Sequence, residues 1–308
     1  MIRSLLATTF AIVLLAGVVD AQWLHYVASD VPRTADGTPD LSAPTPHTAD
    51  GKPDLSGVWM HEQTSVADMR RLFGADRIDE AVRTSIPGME IGTQNKYAFD
   101  ILLDAGEGML RPEAKAVMQR RLAQRDPSRV CSSTPGAGLP LADLLSEPIK
   151  IVQAPRMTLV LTEVGMLYRQ IYADGRSFPD LVNLPAYLGY SIGRWDGDTF
   201  VVDTRGFNDK TVLDSMGHPH SDELRVTERF HRRDFGHMDV EMTFDDPRMY
   251  TRPFTINVPH GLLADGDIFE MFCENEKDGA HIVISGGAGA EQRPQQVKAR
   301  SGKRKFGR

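Results

Sequence analysis

The chain has two cysteines in 308 residues, Cys131 and Cys273. They are too far apart for a Cys-x-x-Cys motif, so neither a thioredoxin-like redox pair nor a zinc ribbon has its ligands. There is no His-Glu-x-x-His, which removes the commonest helical zinc-hydrolase motif. Beyond the first twenty-one residues, no run is apolar and long enough to match the about 20 residues that a membrane-spanning helix needs. Basic charge is also scarce, with 35 Lys and Arg against 42 Asp and Glu, a net of −7. Residues 291–308 hold seven Lys/Arg and one Glu, a local +6, which leaves −13 for the remainder. An acidic body excludes broad nucleic-acid binding, because such binding rests on phosphate neutralisation by basic residues.

What is present begins with a processing signal. Arg3 precedes the largely apolar Leu5–Val19, and Val19-Asp20-Ala21 offers residues tolerated before a cleavage point at Gln22. This is the pattern of a secretory signal over residues 1–21, so a periplasmic or secreted location is expected. No Cys follows the cleavage point to carry a lipid. In an oxidising compartment Cys131 and Cys273 have one possible intramolecular pairing. In the chain-entropy model a bridge closing so long a loop contributes up to ~5 kcal/mol. Two buried thiols are the alternative reading, and a cysteine nucleophile is a third.

Pro32, Pro39, Pro44, Pro46 and Pro53 mark residues 22–57 as a Pro-rich linker. Inside it Thr34–Ser42 (TADGTPDLS) is nearly repeated at Thr48–Ser56 (TADGKPDLS), too short a duplication for a solenoid. A single β-rich domain is expected over 58–290, with a helical segment over about 64–125. Within that segment, apolar residues recur at three- and four-residue spacing in 79–83, 97–103 and 111–124. From Ile149 the period changes to two. Strands are expected at 149–152, 158–163, 166–172, 190–195, 200–204, 224–232, 237–244, 254–258 and 268–273, after a first strand beginning near Val58. Met238, Val240, Met242 and Phe244 alternate with His237, Asp239, Glu241 and Thr243, giving one apolar and one polar face. Eight to ten such strands joined by short turns favour a closed or nearly closed antiparallel barrel, with a β-sandwich as the alternative. Residues 291–308 (EQRPQQVKARSGKRKFGR) read as a basic disordered tail, solvated or else touching an anionic membrane surface or nucleic acid.

The ordered set PDLSGVW (53–59), KIVQ (150–153), DGR (174–176), GRWDGDT (193–199), GFND (206–209), HS (220–221) and TER (227–229) resembles a family of exported bacterial proteins of unassigned function. The resemblance covers most of the chain after residue 21. It implies export and a β-rich, lipocalin-like barrel, and it brings no catalytic assignment.

Ionisable residues crowd between 203 and 229. His218-Pro219-His220 has two imidazoles at i and i+2. Extended backbone, which Pro219 favours at His218, points them the same way. With Asp214, Asp222 or Glu223 they form a candidate divalent-metal set. A metal-free reading makes His220, or His218, a proton carrier near neutral pH, partnered by Asp214 or Glu228. Arg169 or Arg229 would steady charge developing in the substrate, and Tyr190 and Trp195 would line a pocket. Glu228 and Arg229 point to opposite faces if both lie on one strand. Asp196 and Asp198 flank Gly197 as a tight turn explains, without the spacing of an EF-hand. The Gly-x-Ser-x-Gly string at 189–193 lies between strand signals and not at a strand-to-helix elbow. Two function classes follow. One is a barrel enzyme of isomerase, lyase, cyclase or hydrolase type acting on a small organic molecule. The other is a non-catalytic, lipocalin-like binding protein with an apolar interior. Cofactor and oligomeric state are left open by the sequence.

Overall fold

The computed structural model describes residues 27–84, 95–124, 144, 147–163, 166–180 and 185–269. Cys131 and Cys273 lie outside these residues, as do the signal and the basic tail. Among the described residues nine strands close into one barrel in chain order. They are β1 (Gly57–His61), β2 (Ile149–Ala154), β3 (Met157–Thr162), β4 (Tyr168–Tyr172), β5 (Tyr190–Asp196), β6 (Thr199–Arg205), β7 (Arg225–Arg232), β8 (His237–Asp245) and β9 (Phe254–Leu262). β1 pairs with both β2 and β9, so the sheet has no open edge and a two-sheet sandwich is not needed. The strand expected at 268–273 is not seen in its described part. Ile268 and Phe269 are irregular, and β9 instead runs on past Val258 to Leu262.

The alternation dictates the core. Met238, Val240, Met242 and Phe244 of β8 are buried beside Phe254, Ile256 and Val258 of β9, while Asp239, Glu241 and Thr243 face outward. Gly193 of β5 leaves room inside the wall. A Cβ there would overlap the Phe200 ring and come 3.0 Å from Ile171 Cγ2, so the missing side chain lets Phe200 fill the interior.

One joint departs from the expected antiparallel pattern. β4 and β5 run parallel, paired at Ile171↔Ser191 and Tyr172↔Ile192. Arg169 spans this short seam from inside. Its Nε donates to Ser191 Oγ (3.0 Å), Nη1 to Glu228 Oε1 (2.9 Å), and Nη2 to Thr204 Oγ1 (2.8 Å) and to Glu228 Oε2. One side chain thus ties β4 to β5, β6 and β7. Outside the seam, the Tyr172 and Tyr190 rings stack at 5.1 Å, with the Arg176 guanidinium 3.8 Å from the Tyr172 centroid.

The proline-rich segment is ordered from residue 27. Its two repeats adopt the same turn. Thr34 N–H donates to Thr38 O (2.9 Å) and Asp40 N–H to Pro32 O (2.8 Å); Thr48 N–H donates to Lys52 O (2.8 Å) and Asp54 N–H to Pro46 O (2.9 Å). The segment crosses the β7–β8 turn, where Phe235 and Gly236 N–H donate to the Ala43 and Leu41 carbonyls at 2.8 and 2.7 Å. Buried Arg232 donates to the Asp54, Asp234 and Phe235 carbonyls and lies 4.9 Å from the Trp59 ring centroid. That cation therefore uses carbonyl dipoles and an aromatic face to offset its lost hydration.

The helical segment is shorter in its middle than its periodicity suggests. α1 (Val66–Phe73) starts at Ser65, whose hydroxyl accepts from Asp68 N–H, and α2 (Ala75–Thr84) follows. α3 is only Lys96–Phe99. It stops because the next amides find carboxylates. Ile101 N–H donates to Asp214 Oδ2 (2.6 Å) and Leu102 N–H to Asp100 Oδ1 (2.9 Å). α4 (Pro112–Gln124) begins with Pro112 in its first turn, where no N–H is required.

Removing one partner of a buried ion pair leaves an uncompensated charge, which costs about 3–5 kcal/mol. Arg169→Met is expected to lower unfolding stability in urea by that order, and Arg169→Met/Glu228→Leu to restore a large part of the loss. A single variant within about 1 kcal/mol of wild type would show that the pair does not hold the seam.

Candidate functional site

Three connections meet at one end of the barrel: the α3–α4 segment, the β6–β7 connection and the β8–β9 connection. Arg111 N–H donates to Met249 O (3.0 Å) and Thr251 N–H to Met109 O (2.9 Å). The Tyr250 hydroxyl donates to Pro219 O (2.8 Å). Asp246 accepts from Ser221 N–H (2.6 Å) and Ser221 Oγ (2.9 Å) as well as from Arg248 and Met249 N–H.

Within the β6–β7 connection a small turn builds the site. Leu213 N–H donates to His218 O (2.8 Å) and Gly217 N–H to Asp214 O (3.1 Å), with Gly217 at φ 84°. Ser215 and Met216 N–H donate to the Ala98 and Phe99 carbonyls of α3, at 2.9 and 3.1 Å. The turn folds His218 back over Asp214. Asp214 Oδ1 accepts from His218 N–H (3.1 Å), and Oδ2 lies 2.5 Å from His218 Nδ1. On the far side of the ring, Nε2 is 2.9 Å from Glu107 Oε1. Asp214 and His218 are fully buried, whereas the Glu107 side chain is 54% exposed. A line of three groups therefore runs from a buried carboxylate, through an imidazole, to a carboxylate at the surface.

The two histidines of the His-Pro-His string have opposite environments. Burial draws the His218 pKa down, but the Asp214 hydrogen bond and the charges of Asp214 and Glu107 outweigh it and push the value up to about 8. His220 is buried without such a partner. Its Nε2 lies 2.8 Å from Thr211 Oγ1 and its Nδ1 3.2 Å from Ser221 O, and desolvation lowers its pKa to about 4. The paired-imidazole metal set therefore does not form here, since the two rings serve separate networks. The described residues that could hold a cation are Asp100, Asp214 and His218, whose candidate ligand atoms lie within 4.8 Å of one another. An ion there would have to take the place of the hydrogen bond between His218 Nδ1 and Asp214 Oδ2.

The remaining residues singled out in the sequence are dispersed. Glu228 and Arg169 face each other inside the barrel. Arg229 points outward, 3.3 Å from Asp196. Tyr190 stacks on the outer face, and Trp195 packs on Phe200 with the Lys52 ammonium 5.9 Å from its ring. Glu107, Asp100, Asp246 and Thr211 are the contributors that residue spacing does not reveal. Glu107 is more than a hundred positions from His218, and no local pattern links them.

The opposed shifts fix a pH dependence. His218, raised from 6.5 to about 8, stabilises the fold fully below pH 6.5, and that contribution fades as pH rises through 8. His220, lowered from 6.5 to about 4, contributes fully above pH 6.5 and loses that contribution as pH falls toward 4. Asp214→Asn is expected to remove the loss on the alkaline side while keeping the acid-side loss. Urea midpoints between pH 4 and 9, with imidazole NMR titrations, measure both arms.

No family model matches the chain, and no curated protein matches it. Among solved structures it is similar to a luciferase domain from the dinoflagellate Lingulodinium polyedrum, at 12% identity and a TM-score of 0.29, over 82% of this chain and 54% of that one. The chain thus spans about half the length of that protein.

Proposed function

We propose that the protein acts on a small organic molecule by acid–base catalysis, with His218 as the group that moves the proton. The observation that carries this reading is the Asp214–His218–Glu107 line. Asp214 is held by the Ile101 and His218 amides, so it remains an acceptor and fixes the proton on Nδ1. Nε2 is then the atom that exchanges a proton with a substrate, which enters where the Glu107 carboxylate now sits. With a pKa of about 8, His218 is largely an acid at neutral pH, able to protonate a carbonyl or leaving-group oxygen. Once it has given up that proton, it is a base. This chemistry serves isomerase, lyase, cyclase and hydrolase reactions alike. The apolar run behind Arg3 supports a periplasmic or secreted setting, as does the resemblance to exported bacterial proteins.

The test needs no known product. A panel of ketones, lactones and hydroxy acids is incubated with the protein in D2O, and deuterium uptake is followed by NMR. Uptake is expected for at least one compound, and it should fall about 100-fold or more in His218→Asn, the usual weight of a general acid–base group. Equal uptake in wild type and variant, or none with any compound, would reject the assignment.

A further inference from the structure

One carboxylate beside His218 stands apart from the others. Asp214 is fully buried and bound by two amides, and Asp100 accepts from Leu102 N–H at 2.9 Å, whereas the Glu107 side chain is 54% exposed. An exposed ion pair adds little to stability, so holding the fold together gives little reason for a carboxylate at this place. Its setting in the chain also differs. Glu107 lies between Gly106 and Gly108, at the start of the short 3-10 turn Glu107–Met109. Gly106 holds a φ of 86°, and a Cβ at either glycine would meet no described atom within 4 Å. The two ends of the turn are fixed, since Gly106 N–H donates to Leu102 O (2.7 Å) and Met109 O accepts from Thr251 N–H (2.9 Å). Glu107 can therefore swing outward by about the width of a substrate while its backbone stays at the mouth of the site.

We propose that Glu107 is the second proton carrier of this site, and that the substrate is an uncharged, enolisable ketone or aldehyde held between Glu107 and His218. This role rests on the acid–base reading of His218. The two groups face each other at 2.9 Å, so a molecule that parts them has a proton donor on one side and a proton acceptor on the other. His218 Nε2–H gives its proton to the carbonyl oxygen, while a Glu107 oxygen takes a proton from the neighbouring carbon. The C–H electron pair becomes the C=C bond of the enol, and the C=O π pair becomes the new O–H bond. Glu107 is then protonated, and Nε2 carries a lone pair. In an α-hydroxy ketone the return steps exchange places. Glu107 delivers its proton to the former carbonyl carbon, and Nε2 takes the proton of the other hydroxyl. The carbonyl has then moved by one carbon, with both groups restored and no co-reactant consumed. The charge of the substrate follows from the surroundings. Asp214 and Asp100 lie 2.5 and 3.9 Å from His218 Nδ1, and among the described residues neither they nor Glu107 form an ion pair with a Lys or Arg. A carboxylate-bearing substrate would meet that negative field, whereas an uncharged one would not.

Deuterium exchange with named compounds tests this. In D2O the wild type is expected to accelerate exchange of the carbon-bound hydrogens of dihydroxyacetone or cyclohexanone more than those of pyruvate, each against its uncatalysed rate. Glu107→Gln keeps the length of the side chain and an oxygen for Nε2 but takes up no proton, so it should exchange about 100-fold more slowly with its urea midpoint kept. Glu107→Ala should lose as much and regain exchange when formate is added, because a free carboxylate can enter the space left by the side chain. Exchange by Glu107→Gln within about threefold of wild type, or no recovery of Glu107→Ala with formate, would overturn the role of Glu107. If His218→Asn still abolished exchange in that case, the acid–base reading of His218 would stand without it. Exchange of pyruvate, a lactone or a hydroxy acid in place of either ketone would reject the substrate class alone, and no exchange of any compound would reject both readings.

Discussion

The barrel depends on one buried ion pair. Eight of its nine joints are antiparallel ladders. The ninth, between β4 and β5, is a parallel contact of two residue pairs. Backbone hydrogen bonding is least there, and Arg169 reaches across to β5, β6 and β7. A guanidinium suits this task because its donors are fixed in one plane and can serve a carboxylate and two hydroxyls at once. The cost is that a charge must be buried beside Ile171 and Val202, and that is tolerable only with Glu228 opposite.

The same economy separates the two barrel ends. At one end, Arg232 is solvated by carbonyls and an indole, which fastens the N-terminal segment. At the other, carboxylates and imidazoles remain. Asp246 and Asp214 both bind backbone amides, but Asp214 also holds a histidine whose second nitrogen faces outward. Position within the loop, and not residue type, distinguishes His218 from His220.

The barrel is legible because its cause is local. The alternation of Met238 to Phe244 and the Asp-Gly turn at 196–197 act between near neighbours, and the alternation survives in β8 unchanged. The parallel joint was hidden, because β4 and β5 read as ordinary strands and their pairing is decided by the connection between them. α3 ends early for a tertiary reason that no helix periodicity shows, namely the capture of the Ile101 amide by Asp214. Of the site, Asp214 and His218 are legible as a four-residue spacing in a polar loop. Glu107 is not, because it arrives from a helical segment whose sequence carries no chemical signal. Strand parity and strand position send Arg169, Tyr190, Trp195 and Arg229 inward, outward, to the barrel end and outward again.

The parallel joint also bears on how the chain reaches its native state. β5 to β9 form a meander of adjacent antiparallel strands, and β2 to β4 form another, so each set can assemble from contacts near in sequence. Neither the β4–β5 joint nor the β1–β9 closure can form as a tight hairpin. Both wait on the ordering of long intervening chain, whose closure entropy is spent before any pairing rewards it. The native topology thus holds two half-sheets built from neighbouring strands, β2–β4 and β5–β9, and Arg169, carried by one, meets Glu228, carried by the other, across the β4–β5 joint.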